Sequence, residues 1–261
     1  GQHFFIRHRH RHHRRLVNNN TALRDVDEHG GGTEINANFF YKHAFWLYWP
    51  AYLLYKRMSD RTERAMVARM VKPGFRIVDI GANVGAYTLL LAGLVGAEGE
   101  VWAFEPHPEN FKILKRKTRN LPNVRCSSSA VGAGSGSLQL FLSDNLNVDH
   151  RAYATPEPRR ALEVNCVSLD EYFRDLKIDF IKMDIQGYEG TALLGMKDLL
   201  GRCPRLLLEI WPFGLRQAGS SHHEIVLCLR ENHYALSVVH RGKVAAYSPE
   251  LIQEREGDYY S

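Results

Sequence analysis

The sequence predicts an open α/β fold, with a mostly parallel sheet, helices on both faces and an antiparallel hairpin at its C-terminal end. Three observations carry this expectation. Short apolar runs that end in an acid recur at residues 77–79, 101–105, 180–184 and 206–209. Each is followed by a turn signal and then by a helical pattern, the order of parallel β–α units. Late in the chain, residues 233–240 and 243–247 flank Arg241-Gly242 and read as a hairpin.

The first unit is the most informative. Ile77, Val78 and Ile80 make a buried strand around Asp79, Gly81 follows at once, and Gly85 opens a helical pattern through Leu89, Leu90, Leu91 and Leu94. The two glycines permit positive φ and close approach of a ligand, and the free N–H groups of the helix start face whatever lies above the strand. A dinucleotide fingerprint needs a third glycine where Asn83 stands, and Asp79 would repel a pyrophosphate. The pattern through Asp79, Gly81, Ala82, Asn83, Gly85, Tyr87 and Thr88 therefore favours S-adenosylmethionine, whose amino group is cationic. A structural β-turn-α with Asp79 as a helix cap is the alternative, and a glycine turn alone does not reject it.

At 261 residues the chain is long enough for one large α/β domain. Its net charge of +5 is matched by the five arginines of residues 1–15, leaving 29 bases against 29 acids elsewhere. A basic tail with a neutral body argues against a nucleic-acid groove. That tail also carries His3, His8, His10, His12 and His13 without apolar periodicity, so residues 1–32 are expected to be a disordered terminus or an expression remnant. Residues 33–72 read as an aromatic-rich helical extension. Its stretch 39–55 is too short and too interrupted to span a bilayer. Packing on the domain is the favoured role, with a substrate wall or a peripheral membrane contact as the sharper alternatives. Residues 61–71 read as a helix stopped by Pro73-Gly74. Four widely spaced cysteines without a C-x-x-C pair, and no secretory segment after the basic start, suit a reducing cytoplasm.

The main α/β domain is expected over residues 73–261. Its second strand, residues 100–104, closes on Glu105-Pro106, and residues 109–119 follow as a helix. A carboxylate at that strand end lies where an adenosine ribose sits and can accept both hydroxyl protons. Asp79 and Glu105 on adjacent strand ends are a stronger signal together than either alone.

The run 78–88, together with Val101-Trp102-Ala103-Phe104-Glu105-Pro106-His107-Pro108-Glu109-Asn110, resembles the FkbM-type S-adenosylmethionine-dependent methyltransferases. Val167-Ser168-Leu169-Asp170 is similar to that family's short V-x-S-L-D step, and residues 178–189 match its I-D-x-x-K-x-D-x-E-G-x-E segment, with Gln186 where a glutamate is more usual. The resemblance covers roughly residues 73–208. It implies a class I (Rossmann-like) methyltransferase fold with a seven-stranded, mostly parallel sheet, and methyl transfer most often to oxygen. It also implies cofactor contacts from Asp79, Gly81, Ala82, Asn83, Gly85, Tyr87, Thr88, Glu105, Pro106, Asn110, Asp184 and Gln186.

Residues 124–131 suit a third strand, with Ala130-Val131 passing near the adenine. Leu138, Leu140 and Leu142 alternate with polar residues, as do Leu162, Val164 and Cys166, so the two runs are expected to pair as an antiparallel ribbon. The polar connection 143–160 is long enough to be functional or disordered. The fourth strand, 179–183, puts Lys182 and Asp184 on one face, and residues 188–200 read as one amphipathic helix with Leu193, Leu194 and Met196 inward. The fifth strand, 205–210, leads to Trp211 and Phe213, candidates for a pocket wall and equally for core packing. Ser221 to Glu224 reads as a capping box, so His222 and His223 are expected in solvent.

Strand ends one, two, four and five meet at the crevice of such a sheet. The leading expectation is O-methylation of a small hydroxylated molecule. Asp184 and Glu209 are the candidate proton acceptors, and Lys182 is their modulating charge. A divalent metal is not favoured, because Ile185 stands where a further ligand would help. A catalytically silent cofactor-fold protein is the second reading. A nucleic-acid or protein methyltransferase is the third.

Overall fold

The computed structural model of the chain describes residues 2–8, 45–143, 150–154, 159–240 and 243–252. Strand β1 (Gln2–His8) is followed by helices α1 (Phe45–Ser59) and α2 (Arg61–Met70). Then come β2 (Arg76–Ile80), α3 (Ala86–Val95), β3 (Glu100–Phe104), α4 (Pro108–Thr118) and β4 (Val124–Ser127). A small sheet is made by β5 (Ala130–Val131), β6 (Gly136–Phe141) and β7 (Ala161–Val167). The chain returns through α5 (Leu169–Tyr172), β8 (Phe180–Met183), α6 (Glu189–Leu194), α7 (Lys197–Arg202) and β9 (Arg205–Ile210). Helices α8 (Pro212–Gln217) and α9 (His222–Glu231) precede the hairpin β10 (Tyr234–His240) and β11 (Lys243–Ala246), and a 3-10 turn spans Pro249–Ile252.

The main sheet runs β11-β10-β1-β9-β8-β2-β3-β4, parallel throughout except for the edge strand β11. Its central strands are buried on both faces, which is what a parallel sheet covered by helices requires. Val78, Ile80, Ile181, Met183, Leu206 and Leu208 point into one core, with Met196, Leu199, Ile225 and Leu229. Ile77, Val101, Phe180 and Leu207 point into the other, against Val67, Leu91 and Val95. From β2 the order proceeds to β3 and β4 on one side and to β8 and β9 on the other. The switch point where ligands bind in such sheets therefore lies between the ends of β2 and β8.

The basic N-terminal run corrects an expectation. Residues 2–8 are a strand, inserted between β9 and β10 and parallel to both, and they raise the main sheet from the expected seven strands to eight. Phe4 and Ile6 are fully buried on one face, and the Phe4 ring meets Tyr234 edge-on at 6.4 Å. Alternation hidden among arginines and histidines is enough to build a strand when two partners flank it. Residues 9–32, and residues 33–44 of the extension, lie outside the described residues.

Two further boundaries differ. The expected third strand divides: β4 stays in the main sheet, while Ala130 and Val131 cross to pair with Cys166 and Val167 of β7. The expected helix 188–200 breaks at Gly195, whose hypothetical Cβ would collide with the Gly132 carbonyl oxygen. The Gly195 carbonyl accepts from Ser168 Oγ at 2.9 Å and from the Asp170 N–H at 3.0 Å. Leu193 and Met196 are buried as expected, but the break leaves Leu194 exposed.

Candidate functional site

The turn after β2 is shaped by packing within the protein. Gly81 has φ +75°, and a side chain there would strike the carbonyl oxygen of Asp184. Gly85, at φ +93°, caps α3, and a Cβ would lie 3.0 Å from Leu114. Asn83 stands at φ +51°, a left-handed conformation asparagine tolerates without glycine, and its Oδ1 accepts from the Val84 N–H at 2.7 Å. Ala82 packs with Ala103 and Leu114. The glycines expected to admit a ligand thus also admit the neighbouring strand end and α4.

Asp79 has no exposed surface. Its Oδ2 accepts from Thr88 Oγ1 at 2.7 Å, and its Oδ1 lies 3.5 Å from Lys182 Nζ. It caps no helix, since Gly85 occupies that position. Lys182 is also 4.0 Å from Asp184 Oδ2 and 5.3 Å from the centre of the buried Tyr87 ring. One ammonium therefore links the acids ending β2 and β8 across the switch point. Asp184 is partly exposed, and its Oδ1 accepts from Gln186 Nε2 at 2.7 Å. A glutamate in place of Gln186 would set two carboxylates against each other, whereas the amide donates. Register carries the row onward: Met183 pairs with Leu208, so Asp184 and Glu209 follow on adjacent strands, and Glu209 itself pairs with Arg7 of β1. Glu209 is 9% exposed.

Glu105 sits at the end of β3, as expected. Its Oε2 accepts from the Asn83 N–H at 2.8 Å and its Oε1 from the His107 N–H at 3.0 Å, which fixes the carboxylate between two loops. Burial pushes its pKa up to about 7; the two N–H donors pull it down, Asp79 adds to the rise and Lys182 opposes it. Glu189, which the sequence reading did not select, does the same for the next loop. It accepts from the Ile185 N–H at 3.0 Å and the Gly187 N–H at 2.9 Å, and burial likewise raises it to about 7. Because both acids hold their protons more tightly folded than unfolded, their contribution to stability falls as pH rises from about 4.5 to about 7.

The remaining sequence-selected residues fall around this centre. Asn110 is buried at the start of α4, donating its N–H to His107 Nδ1, and Pro106 is half-buried beside it. Ala130 and Val131 are buried in β5 and pair with β7.

Four contributors to the site come from segments that sequence reasoning left open. Residues 150–154 of the connection between β6 and β7 lie over the strand ends. Tyr153 donates its hydroxyl to the Gln186 carbonyl at 3.0 Å, and His150 stacks on His107 at 3.9 Å. The Arg151 guanidinium lies 5.0 Å over the ring of Trp211, which is itself buried. Helix α1 supplies Tyr52, which packs with Trp49 against Val84 and Ala86 of the glycine turn. Burial first, and then the charges of Asp60 and Asp184 against that of Lys182, raise its hydroxyl pKa far above the ordinary value. The inner face of α1 therefore packs on the glycine turn, and the cue for this packing was the aromatic run itself. Among the described residues, no group of His, Cys, Asp and Glu side chains forms a metal site, and no helix is long and apolar enough to cross a membrane.

The methyltransferase FkbM domain matches residues 79–236, from the buried acid of β2 into β10. The chain belongs to the FkbM methyltransferase family. Membership makes it a methyltransferase with S-adenosylmethionine as methyl donor. No curated protein matches the chain. Among solved structures it is similar to an S-adenosylmethionine-dependent methyltransferase from Aquifex aeolicus, at 19% identity and a TM-score of 0.38, covering 66% of this chain and 78% of that one. It is also similar to a SAM-dependent O-methyltransferase from Thermotoga maritima, at 16% identity and a TM-score of 0.39, covering 69% and 55%. Aeropyrum pernix fibrillarin with natively bound S-adenosylmethionine is a third, at 15% identity and a TM-score of 0.38, covering 63% and 59%.

Proposed function

We propose that this FkbM protein methylates a hydroxyl group of a small molecule of the sugar, polyketide or lipid-like kind. The observation that carries the reading is Asp184. It is a partly exposed carboxylate at the switch point, with one oxygen oriented by the Gln186 amide and the other 4.0 Å from Lys182.

The residues present fit the donor. Asp79, Glu105, Asp184 and Glu209 against Lys182 make the strand ends acidic, which suits a sulfonium and an ammonium and opposes a pyrophosphate. When bound, S-adenosylmethionine supplies a methyl group on a positively charged sulfur. Glu105, held between two backbone donors, has lone pairs left to accept from ribose hydroxyls. Asp184 takes the acceptor's hydroxyl proton, with the Lys182 ammonium 4.0 Å from its Oδ2. Tyr153, His150 and Tyr52 close the crevice against water. The four free thiols, Cys126, Cys166, Cys203 and Cys228, support a reducing cytoplasmic setting.

Calorimetric titration with S-adenosylmethionine, followed by methyl transfer to pooled hydroxylated metabolites, tests the reading. Transfer to an oxygen confirms it. Binding with no transfer to any acceptor would instead indicate a binding module, and transfer to an oligonucleotide alone would overturn the small-molecule acceptor. The Glu105 assignment has its own check. Glu105→Ala should weaken cofactor binding by about tenfold to a hundredfold, the loss of charge-assisted hydrogen bonds. In the parent, affinity should rise with pH through about 7 as Glu105 ionises. A flat pH profile with unchanged affinity in the variant sinks the ribose role.

A further inference from the structure

Helix α1 carries apolar side chains on two faces, and among the described residues one of these faces is packed against the domain. Trp49, Tyr52 and Leu53 pack inward with Val84, Ala86 and Ile113. Trp46, Leu54 and Met58 point outward at 75%, 60% and 69% exposure. With Pro50, also exposed, they stand four residues apart along one face, so they form a single stripe. The body's overall neutrality hides the charge around that stripe. Over α1, α2 and the Asp60 between them, the two acids Asp60 and Glu63 are buried, while Arg57, Arg61 and Arg69 are exposed. Helix α4 lies against α1 through Ile113 and through Lys117, whose ammonium is 4.5 Å from the centre of the Trp49 ring. It exposes Lys112, Lys115, Arg116 and Arg119 against the one acid Glu109.

We propose that α1, with the basic face of α4, docks on an anionic lipid surface. An amphipathic helix with tryptophan and aliphatic side chains on one side and cations around it is what such an interface takes up. A nucleic acid uses the cations but gains nothing from exposed leucine and methionine. A second copy of this chain on the same face would bring the two basic surfaces together, which opposes association. Because the inner face of α1 packs on the glycine turn, docking sets the crevice beside the bilayer and lets an apolar acceptor enter from it. Docking stands without the methyl-transfer reading, and only acceptor delivery rests on that reading.

The test is co-sedimentation of the full chain with phosphatidylcholine vesicles, with and without about 30 mol% phosphatidylserine. Binding is expected to the anionic vesicles and should weaken as salt rises. The variant Trp46→Ser/Leu54→Ser/Met58→Ser should bind at least about tenfold less, and Lys112→Glu/Lys115→Glu should lose binding comparably. Both should keep the parent's melting temperature and S-adenosylhomocysteine affinity. Failure of the parent to bind either vesicle overturns the proposal. So does vesicle binding that survives the triple serine change, or a dimer that this change dissolves while vesicles stay unbound. A parent that binds vesicles yet never binds S-adenosylhomocysteine would leave docking standing and defeat the methyl-transfer reading instead.

Discussion

Phe4→Ala should lower the melting temperature by roughly 6–20 °C, the shift that a loss of about 3–5 kcal/mol produces in a domain of this size. The side chain is wholly buried in the core that also holds Ile6, Leu206, Leu208, Tyr234 and Val238. Its strand pairs with β9 from His3 to His8 and with β10 from Gln2 to Arg7, so losing β1 would strip partners from two strands at once. The backbone N–H of His3 donates to the Pro204 carbonyl at 2.8 Å, and Gln2 Nε2 reaches the Leu200 carbonyl at 3.2 Å. Deleting residues 2–8 should therefore be more damaging than Phe4→Ala, against the expectation from composition that the tail is dispensable. His3→Ala, at an exposed position, is the control and should stay within about 0.5 kcal/mol of the parent. Urea and thermal melts of the three variants decide the matter. A Phe4→Ala protein that melts with the parent would mean that β1 contributes nothing to the folded sheet.

Local pattern explains why most of the fold was legible and β1 was not. Strand β3 over Glu100–Phe104 and strand β9 over Arg205–Ile210 announce themselves by apolar content and by the turns that follow. The capping box before α9 forms as read, with Ser221 Oγ accepting from the Glu224 N–H at 3.2 Å and the Glu224 carboxylate accepting from the Ser221 N–H at 2.8 Å. The partners of β1 lie about two hundred residues away, and nothing local marks Phe4 and Ile6 as core. The break at Gly195 has the same character, because only the approach of Gly132 requires it. The site divides along the same line. Asp79, Glu105, Lys182 and Asp184 are placed by strand ends and alternation. Tyr52, His150 and Tyr153 reach the crevice by tertiary packing of an extension and a long loop, which composition marks as unusual without saying where it lands.

Asp184→Asn and Glu209→Gln should separate chemistry from binding: at least one should keep cofactor affinity and lose about a hundredfold or more in turnover. Both changes preserve shape and remove basicity. The geometry favours Asp184 for the larger loss. It is the more exposed of the two, it stands at the switch point, and Lys182 and the Gln186 amide flank its two oxygens. Glu209 is more enclosed, at 9% exposure, on the strand beside β8. Lys182 is nearer to Asp79 than to Asp184, so Lys182→Met should damage more than turnover: it leaves the fully buried Asp79 without its cation and should also lower stability. Single-turnover methyl transfer alongside calorimetric titration reads both quantities. If both amide variants methylate the acceptor at the parent rate, neither carboxylate is the base. His107 is then the next group to change. Burial lowers its pKa against the opposing charge of Glu109, and its ring lies stacked on His150 beside the end of β3.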